Sequence, residues 1–302
     1  MKLKSLTAYL IILSVLSGGF VLGMLRTGQY GAFLVQGYML LPAIAALITR
    51  AFFDPLRFSD LRFRVGRWSN VLKFWLFSLG ISALVFAAYT LLGAGIWDLS
   101  GKVFLDRLAV QFTAVGKDLN TATPEGMTPE IMLWVYFIGG LTVFNLMPGL
   151  ITGLGEELGW RGLLFPRLYA ICPWAAFIIG GLLWFAWHLP LTLVTPQQAD
   201  PQTQMILLPV LALGSICTFT YLAYVYIKTN SVLVTALAHI ALNNAQGSFG
   251  YLFVLQNAVW ANIGLTLVML LVVVVLMVSG EFQVFVRCLG NSPAQSGIRR
   301  SN

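Results

Sequence analysis

The 302 residues contain only two histidines, His188 and His239, and each lies inside a long apolar run. A further run is followed by Gly-Leu-Gly-Glu156-Glu157-Leu-Gly-Trp-Arg161-Gly, and Asn243 stands four residues after His239. Ionisable side chains at membrane depth are costly, and by default they mark function. A carboxylate shielded from bulk water can act as general base on a water molecule. Two imidazoles and an amide beside it could stabilise an oxyanion, or imidazoles and carboxylate (Glu156, His188 and His239) could hold a Zn²⁺ that activates the water. Either arrangement hydrolyses an amide.

Helical spacing turns this set of residues into geometry. Residues four apart share a face, so Glu157 can pair with Arg161 in the favoured acid-first order, and His239 and Asn243 project together. Glu156 is turned by about 100° from Glu157 and points elsewhere. If the chain reverses near Ala170 to Pro173, Glu156 and His188 each lie roughly 21 Å from the turn along antiparallel helices and meet at one level. This requires the helix bearing Glu156 to run on to about Tyr169, with a break behind it marked by Pro148, Gly153 and Gly155. His239 lies some 12 Å inside its own span and matches the other two less well. Asn243, Asn244, Gln246 and Ser248 could line a path for water.

The elements that must position these groups are membrane helices. The chain is 58% hydrophobic and 10% charged, against about 25% charged in a soluble domain. Eight runs of about 20 residues are free of Asp, Glu, Lys and Arg. They are Leu6 to Leu25, Gly31 to Thr49, Phe74 to Trp97, Ile131 to Gly153, Pro173 to Thr195, Met205 to Ile227, Ser231 to Phe253 and Ala258 to Gly280. The fold class is therefore all-α, a polytopic bundle of about eight transmembrane helices. The first run reads as a retained span with no cleavage site after it.

Lys and Arg concentrate on one side, in the loop from Arg50 to Lys73 and at Arg167, Lys228, Arg287, Arg299 and Arg300. Both termini are accordingly expected in the cytoplasm. The net charge of +7 is accounted for by anionic lipid and calls for no nucleic acid. Phe52, Phe53, Leu56, Phe58, Leu61 and Phe63 among those arginines suggest a segment on the membrane surface. Cys172, Cys217 and Cys288 are scattered and support neither a disulfide framework nor a thiolate metal cluster.

Three stretches follow: 1–130, with N-terminal spans, the basic loop and an external loop from Asp98 to Glu130; 131–253, the core with the polar groups; and 254–302, a last span and a tail from Asn291 expected to lack structure. Trp184, Phe185 and Trp187 read as lipid-facing or packing aromatics. Pro190 and Pro148 read as helix breaks.

Glu156-Glu157-x-x-x-Arg161, then Trp184-Phe185-Ala-Trp-His188, then His239-x-x-x-Asn243, in that order between Ile131 and Asn244, resemble the CPBP family of intramembrane proteases. That family is also called Abi and includes the CAAX prenyl proteases of the Rce1 type. The resemblance implies an endopeptidase of membrane-embedded or lipidated substrates, with a site opening toward the cytoplasm of a bacterial inner membrane. Glu156 would activate water, His188, His239 and Asn243 would complete the site, and Glu157 and Arg161 would support it. Whether such sites hold a metal or use the glutamate alone is open. Two positions depart from the pattern: Trp184 stands where Phe is frequent, and Thr192 where CAAX-cleaving members have Asn. A proton-coupled transporter, or a non-catalytic immunity or scaffold protein, is the competing reading of the same charges.

Overall fold

A computed structural model describes residues 2–28, 31–114, 116–142, 149–194 and 201–281. In chain order its elements are α1 (Lys2–Thr27), α2 (Ala32–Met39), α3 (Leu41–Phe52), α4 (Trp68–Leu91), β1 (Gly95–Trp97), α5 (Lys102–Ala114), α6 (Leu119–Ala122) and α7 (Pro129–Leu141). Then come α8 (Gly149–Gly159), a π-helical turn (Trp160–Leu164), α9 (Phe165–Tyr169), α10 (Pro173–Val194), α11 (Pro201–Thr229), α12 (Val232–Tyr251), β2 (Phe253–Leu255) and α13 (Ala258–Val278).

Among the described residues six segments are long and apolar enough to cross a membrane: Leu3–Thr27, Leu34–Phe52, Trp68–Leu91, Pro173–Leu193, Met205–Thr229 and Ala258–Val278. The chain is an integral membrane protein with an all-α polytopic bundle. Two of the eight expected spans do not join the six, for different reasons. α12 has 20 residues, about 30 Å at 1.5 Å per residue, but carries His239, Asn243, Asn244, Gln246 and Ser248. The run from Ile131 is divided between the short α7 and α8.

The third run also differs from its expected bounds. Its helix begins at Trp68, and Gly95–Trp97 forms a strand that pairs antiparallel with Phe253–Leu255. This ribbon ties the end of α4 to the connection between α12 and α13. The stretch from Asp98 to Glu130 holds two helices, α5 and α6.

Gly153 and Gly155 do not break α8, which runs through both. They are small so that neighbours can approach. A Cβ on Gly155 would stand 2.9 Å from the Met39 carbonyl, and one on Gly159 2.4 Å from Pro42 Cβ. This Gly-x-x-x-Gly face lets α2 and α3 lie against α8, with Glu156 and Glu157 between the two glycines. Pro190 likewise lies inside α10 and does not end it. Pro148, Asp200, Arg287, Cys288 and the tail from Asn291, with Arg299 and Arg300, lie outside the described residues.

α12 sits centrally, packed on α4, α7, α8 and α11. Ser231 caps its N-terminus by accepting from Val234 N at 3.1 Å. Hydroxyls fasten the α4 seam: Ser78 donates to Ala238 O at 2.9 Å and Ser82 to Leu242 O at 3.3 Å. In a membrane such side-chain bonds do part of the work that hydrophobic burial does in water.

Candidate active site

The helix bearing Glu156 continues without interruption from Gly149 to Tyr169, reverses at Ala170–Cys172, and returns as α10. A π-helical turn in its middle has a local cause. Pro166 has no N–H, so the carbonyl four residues back, that of Gly162, loses its helical donor. Arg50, a buried residue of α3, supplies the missing donors: its Nε lies 3.1 Å from Gly162 O, and its Nη2 bonds the same oxygen. Widened turns of this kind recur at functional sites.

Arg50 is itself held in an ion network at that end of the bundle. It reaches Asp60 at 2.7 Å, Arg167 reaches Asp60 and Asp54 at 2.6 Å each, and Arg167 belongs to α9. Burial acts to raise the Asp60 carboxyl, but the Arg167 and Arg50 guanidiniums outweigh it and hold Asp60 below its ordinary value. The loop is further tied to α12, since Val232 N donates to Arg62 O at 2.9 Å and Ser231 Oγ bonds Arg64 O. Phe52, Phe53, Leu56, Phe58 and Phe63 stay exposed along it, and Leu61 packs near Gly162.

The two glutamates diverge as their 100° offset requires. Glu157, fully buried, accepts from Arg161 Nη1 at 2.9 Å and stands 3.0 Å from His239 Nδ1, both on Oε1. Arg161 extends on to Phe219 O at 2.8 Å and lies 4.1 Å from the centre of the Phe219 ring. α8, α11 and α12 are thus locked together by one carboxylate and one guanidinium.

Glu156 faces α10 instead. Its Oε2 is 3.9 Å from His188 Nε2 and accepts a hydrogen bond from Trp184 Nε1 at 2.9 Å. His188 Nδ1 lies 2.9 Å from Trp184 O. A carbonyl only accepts, so Nδ1 carries the proton, and in the neutral ring Nε2 presents its lone pair toward Glu156. One water could touch both Nε2 and Oε2 at this separation. His188 is the open side of the pair, with its side chain 30% exposed against 6% for Glu156.

The structure therefore brings Glu156 to His188 and Glu157 to His239, two pairs with Trp184 between them. The Trp184 ring stands 4.8 Å from the His188 ring and 6.1 Å from the His239 ring, nearly perpendicular to both. Trp184 differs from the packing or lipid-facing aromatic that the sequence suggests, because its indole N–H bonds Glu156. The sequence signal for this is its spacing: it shares a helix face with His188, four residues on. Trp187, buried, does pack, stacking on Tyr38 at 4.8 Å and donating to Ser17 at 3.0 Å. Thr192 turns back to His188 O at 3.2 Å.

Asn243 is exposed and with His239 lines a polar cavity that Gln246 shares. Asn244 and Ser248 do not line it. Asn244 faces Gly149 of α8, and Ser248 is buried against Gly140 of α7. Zn²⁺ takes three protein ligands even at catalytic sites. Among the described residues no three His, Cys, Asp or Glu side chains converge on a metal position, Glu156, His188 and His239 included. His239 turns its Nδ1 to Glu157 rather than toward Glu156.

Residues 138–245 match the family model of type II CAAX prenyl endopeptidases, described as Rce1-like. Over this stretch the chain is similar to that family. The match spans the end of α7 through most of α12, so it contains Glu156, Glu157, Arg161, Trp184, His188, His239 and Asn243 and stops one residue short of Gln246. No curated protein matches the chain.

Proposed function

We propose that the protein is an endopeptidase in which Glu156 activates a water held between its carboxylate and His188 Nε2. The single observation that carries this reading is the 3.9 Å approach of those two groups, brought about by a helix reversal at Ala170–Cys172. Glu156 takes a proton from the water, the resulting hydroxide adds to the scissile carbonyl carbon, and Glu156 returns the proton to the leaving amine as the C–N bond breaks. Trp184 N–H fixes the carboxylate's orientation. Asn243, one helical turn from His239 on α12, is the donor offered to the oxyanion, and His239, whose Nδ1–H is spent on Glu157, adds a donor at Nε2 only as the imidazolium. Glu157 and Arg161 hold His239 in place. No step is routed through a metal, because the donor set does not converge on one.

The reading of the substrate as lipid-tethered draws support from an apolar cavity of about 460 Å³ between α1 and α10, bounded by Leu13, Val21, Tyr38, Trp187 and Pro190. Cavities of roughly 300–1,000 Å³ hold small ligands, and the Trp187 ring stands 4.5 Å from that of His188. We take both termini to be cytoplasmic and the membrane to be a bacterial inner membrane, a reading supported by the positive charge of Arg50, Arg167 and Lys228. The proton-coupled carrier finds less support: the buried acid Glu157 is tied up with Arg161 and His239. Cleavage of a membrane-tethered peptide by the parent chain and by Glu156→Gln tests the assignment.

A further inference from the structure

An apolar bundle has little reason to gather amides and hydroxyls around one cavity, yet α11, α12 and α13 do so. A cavity of about 190 Å³ is bounded by Trp184 and by Ser215 and Thr218 of α11, with Asn243 and Gln246 on α12. Asn262 and Thr266 of α13 close it. Each helix contributes residues three or four apart, so the polar groups form rows along three helix faces. From His239 to Gln246 the α12 row rises about 10 Å, the span of roughly three residues of extended chain.

The hydrogen-bonding capacity of these groups is largely unspent. Thr218, Thr266 and Asn262 each make one bond to a helix carbonyl, of Gly214, Val210 and Ala258. Among the described residues the side chains of Ser215, Asn243 and Gln246 make none. Unpaired amides are costly away from water. A side-chain amide both donates and accepts, which is also what one backbone peptide group demands.

A peptide is hydrolysed in an extended form, whose free N–H and C=O groups hydrocarbon cannot satisfy. We propose that the polar cavity is the subsite for the extended backbone of the substrate on one side of the scissile bond. It recognises an extended peptide by its main chain, with Gln246 and Asn262 as the principal donors and acceptors. Trp184 joins the subsite to the chemistry, since its ring forms a wall of the cavity while its Nε1 holds Glu156. This assignment deepens the endopeptidase reading and rests on it. Gln246, Asn262 and Thr266 lie beyond the stretch that matches the family model.

The test uses the full chain carrying Glu156→Gln in detergent micelles. The probes are a synthetic apolar peptide with a central benzophenone side chain and its analogue in which one central N–H is replaced by an ester oxygen. The amide probe should crosslink within 211–218, 243–246 or 262–266 and bind on the order of five-fold tighter than the ester, the worth of one hydrogen bond. With Gln246→Leu or Asn262→Leu the two probes should bind alike. Equal binding of both probes to the parent, no binding of either, or crosslinks confined to α1 would overturn the subsite. Cleavage of the amide probe by the chain with Glu156 intact is scored separately. Discrimination of amide from ester without cleavage therefore faults the endopeptidase reading and not the recognition.

Discussion

Trp184 donates its indole N–H to Glu156 Oε2 at 2.9 Å, while its backbone carbonyl receives Nδ1 of His188 at 2.9 Å. One residue thus fixes both the carboxylate and the imidazole tautomer that faces it. Trp184→Phe keeps an aromatic ring and the backbone carbonyl but removes the donor. A hydrogen bond to a charged group is worth about 1.5–3 kcal/mol, so cleavage should fall by roughly 10- to 100-fold with little change in the thermal midpoint. A kinetic comparison at fixed substrate, paired with a melting curve, checks both halves.

Glu157 and Arg161 are the other structural pair, fully buried and 2.9 Å apart. Removing one member of a buried ion pair strands the other at about 3–5 kcal/mol. Arg161→Met should therefore lower the melting temperature of the detergent-solubilised protein sharply, and Glu157→Gln in the same chain should restore much of it. If the double variant melts no higher than the single one, the carboxylate is not what Arg161 holds.

Residue spacing carries part of this site, and tertiary packing the rest. Glu157 with Arg161 follows from a four-residue offset, and the level of Glu156 against His188 from counting to a turn at Ala170. Sequence spacing could not say which glutamate His239 would choose. That depends on how α12 is rotated against α8, set by the contact of Ile240 with Gly153. The glycines show the same gap: Gly153 and Gly155 look like a break in one dimension and are contact surfaces in three. The indole bond of Trp184 and the Arg50 contact to Gly162 O are likewise tertiary facts, linking residues 28 and 112 positions apart.

The loop network should respond to acid. The Asp60 pKa lies below its ordinary value of 3.8 in the folded chain, set by burial acting upward and by Arg167 and Arg50 acting downward more strongly. A depressed carboxyl stabilises the fold above its unfolded-state value, and the contribution fades as pH falls through the folded value. The melting temperature of the parent should exceed that of Asp60→Asn at neutral pH, and the two should converge below about pH 3.8. A gap independent of pH would show that Asp60 acts through packing alone.

Gly159 should tolerate no side chain, because its Cβ would meet Pro42 backbone atoms at 2.7 Å. Overpacking of this kind costs about 1–3 kcal/mol. Gly247, with nothing within 4 Å of its Cβ position on α12, should accept Ala with no loss of stability. Parallel melting curves of Gly159→Ala and Gly247→Ala would expose the contrast.

The direct measurement of Glu156 as base is turnover of a membrane-tethered peptide by purified parent, Glu156→Gln and His188→Ala proteins reconstituted at equal folded concentration. The parent should cleave, and both variants should fall by at least about 10²-fold. Cleavage by both variants at the parental rate would contradict the account.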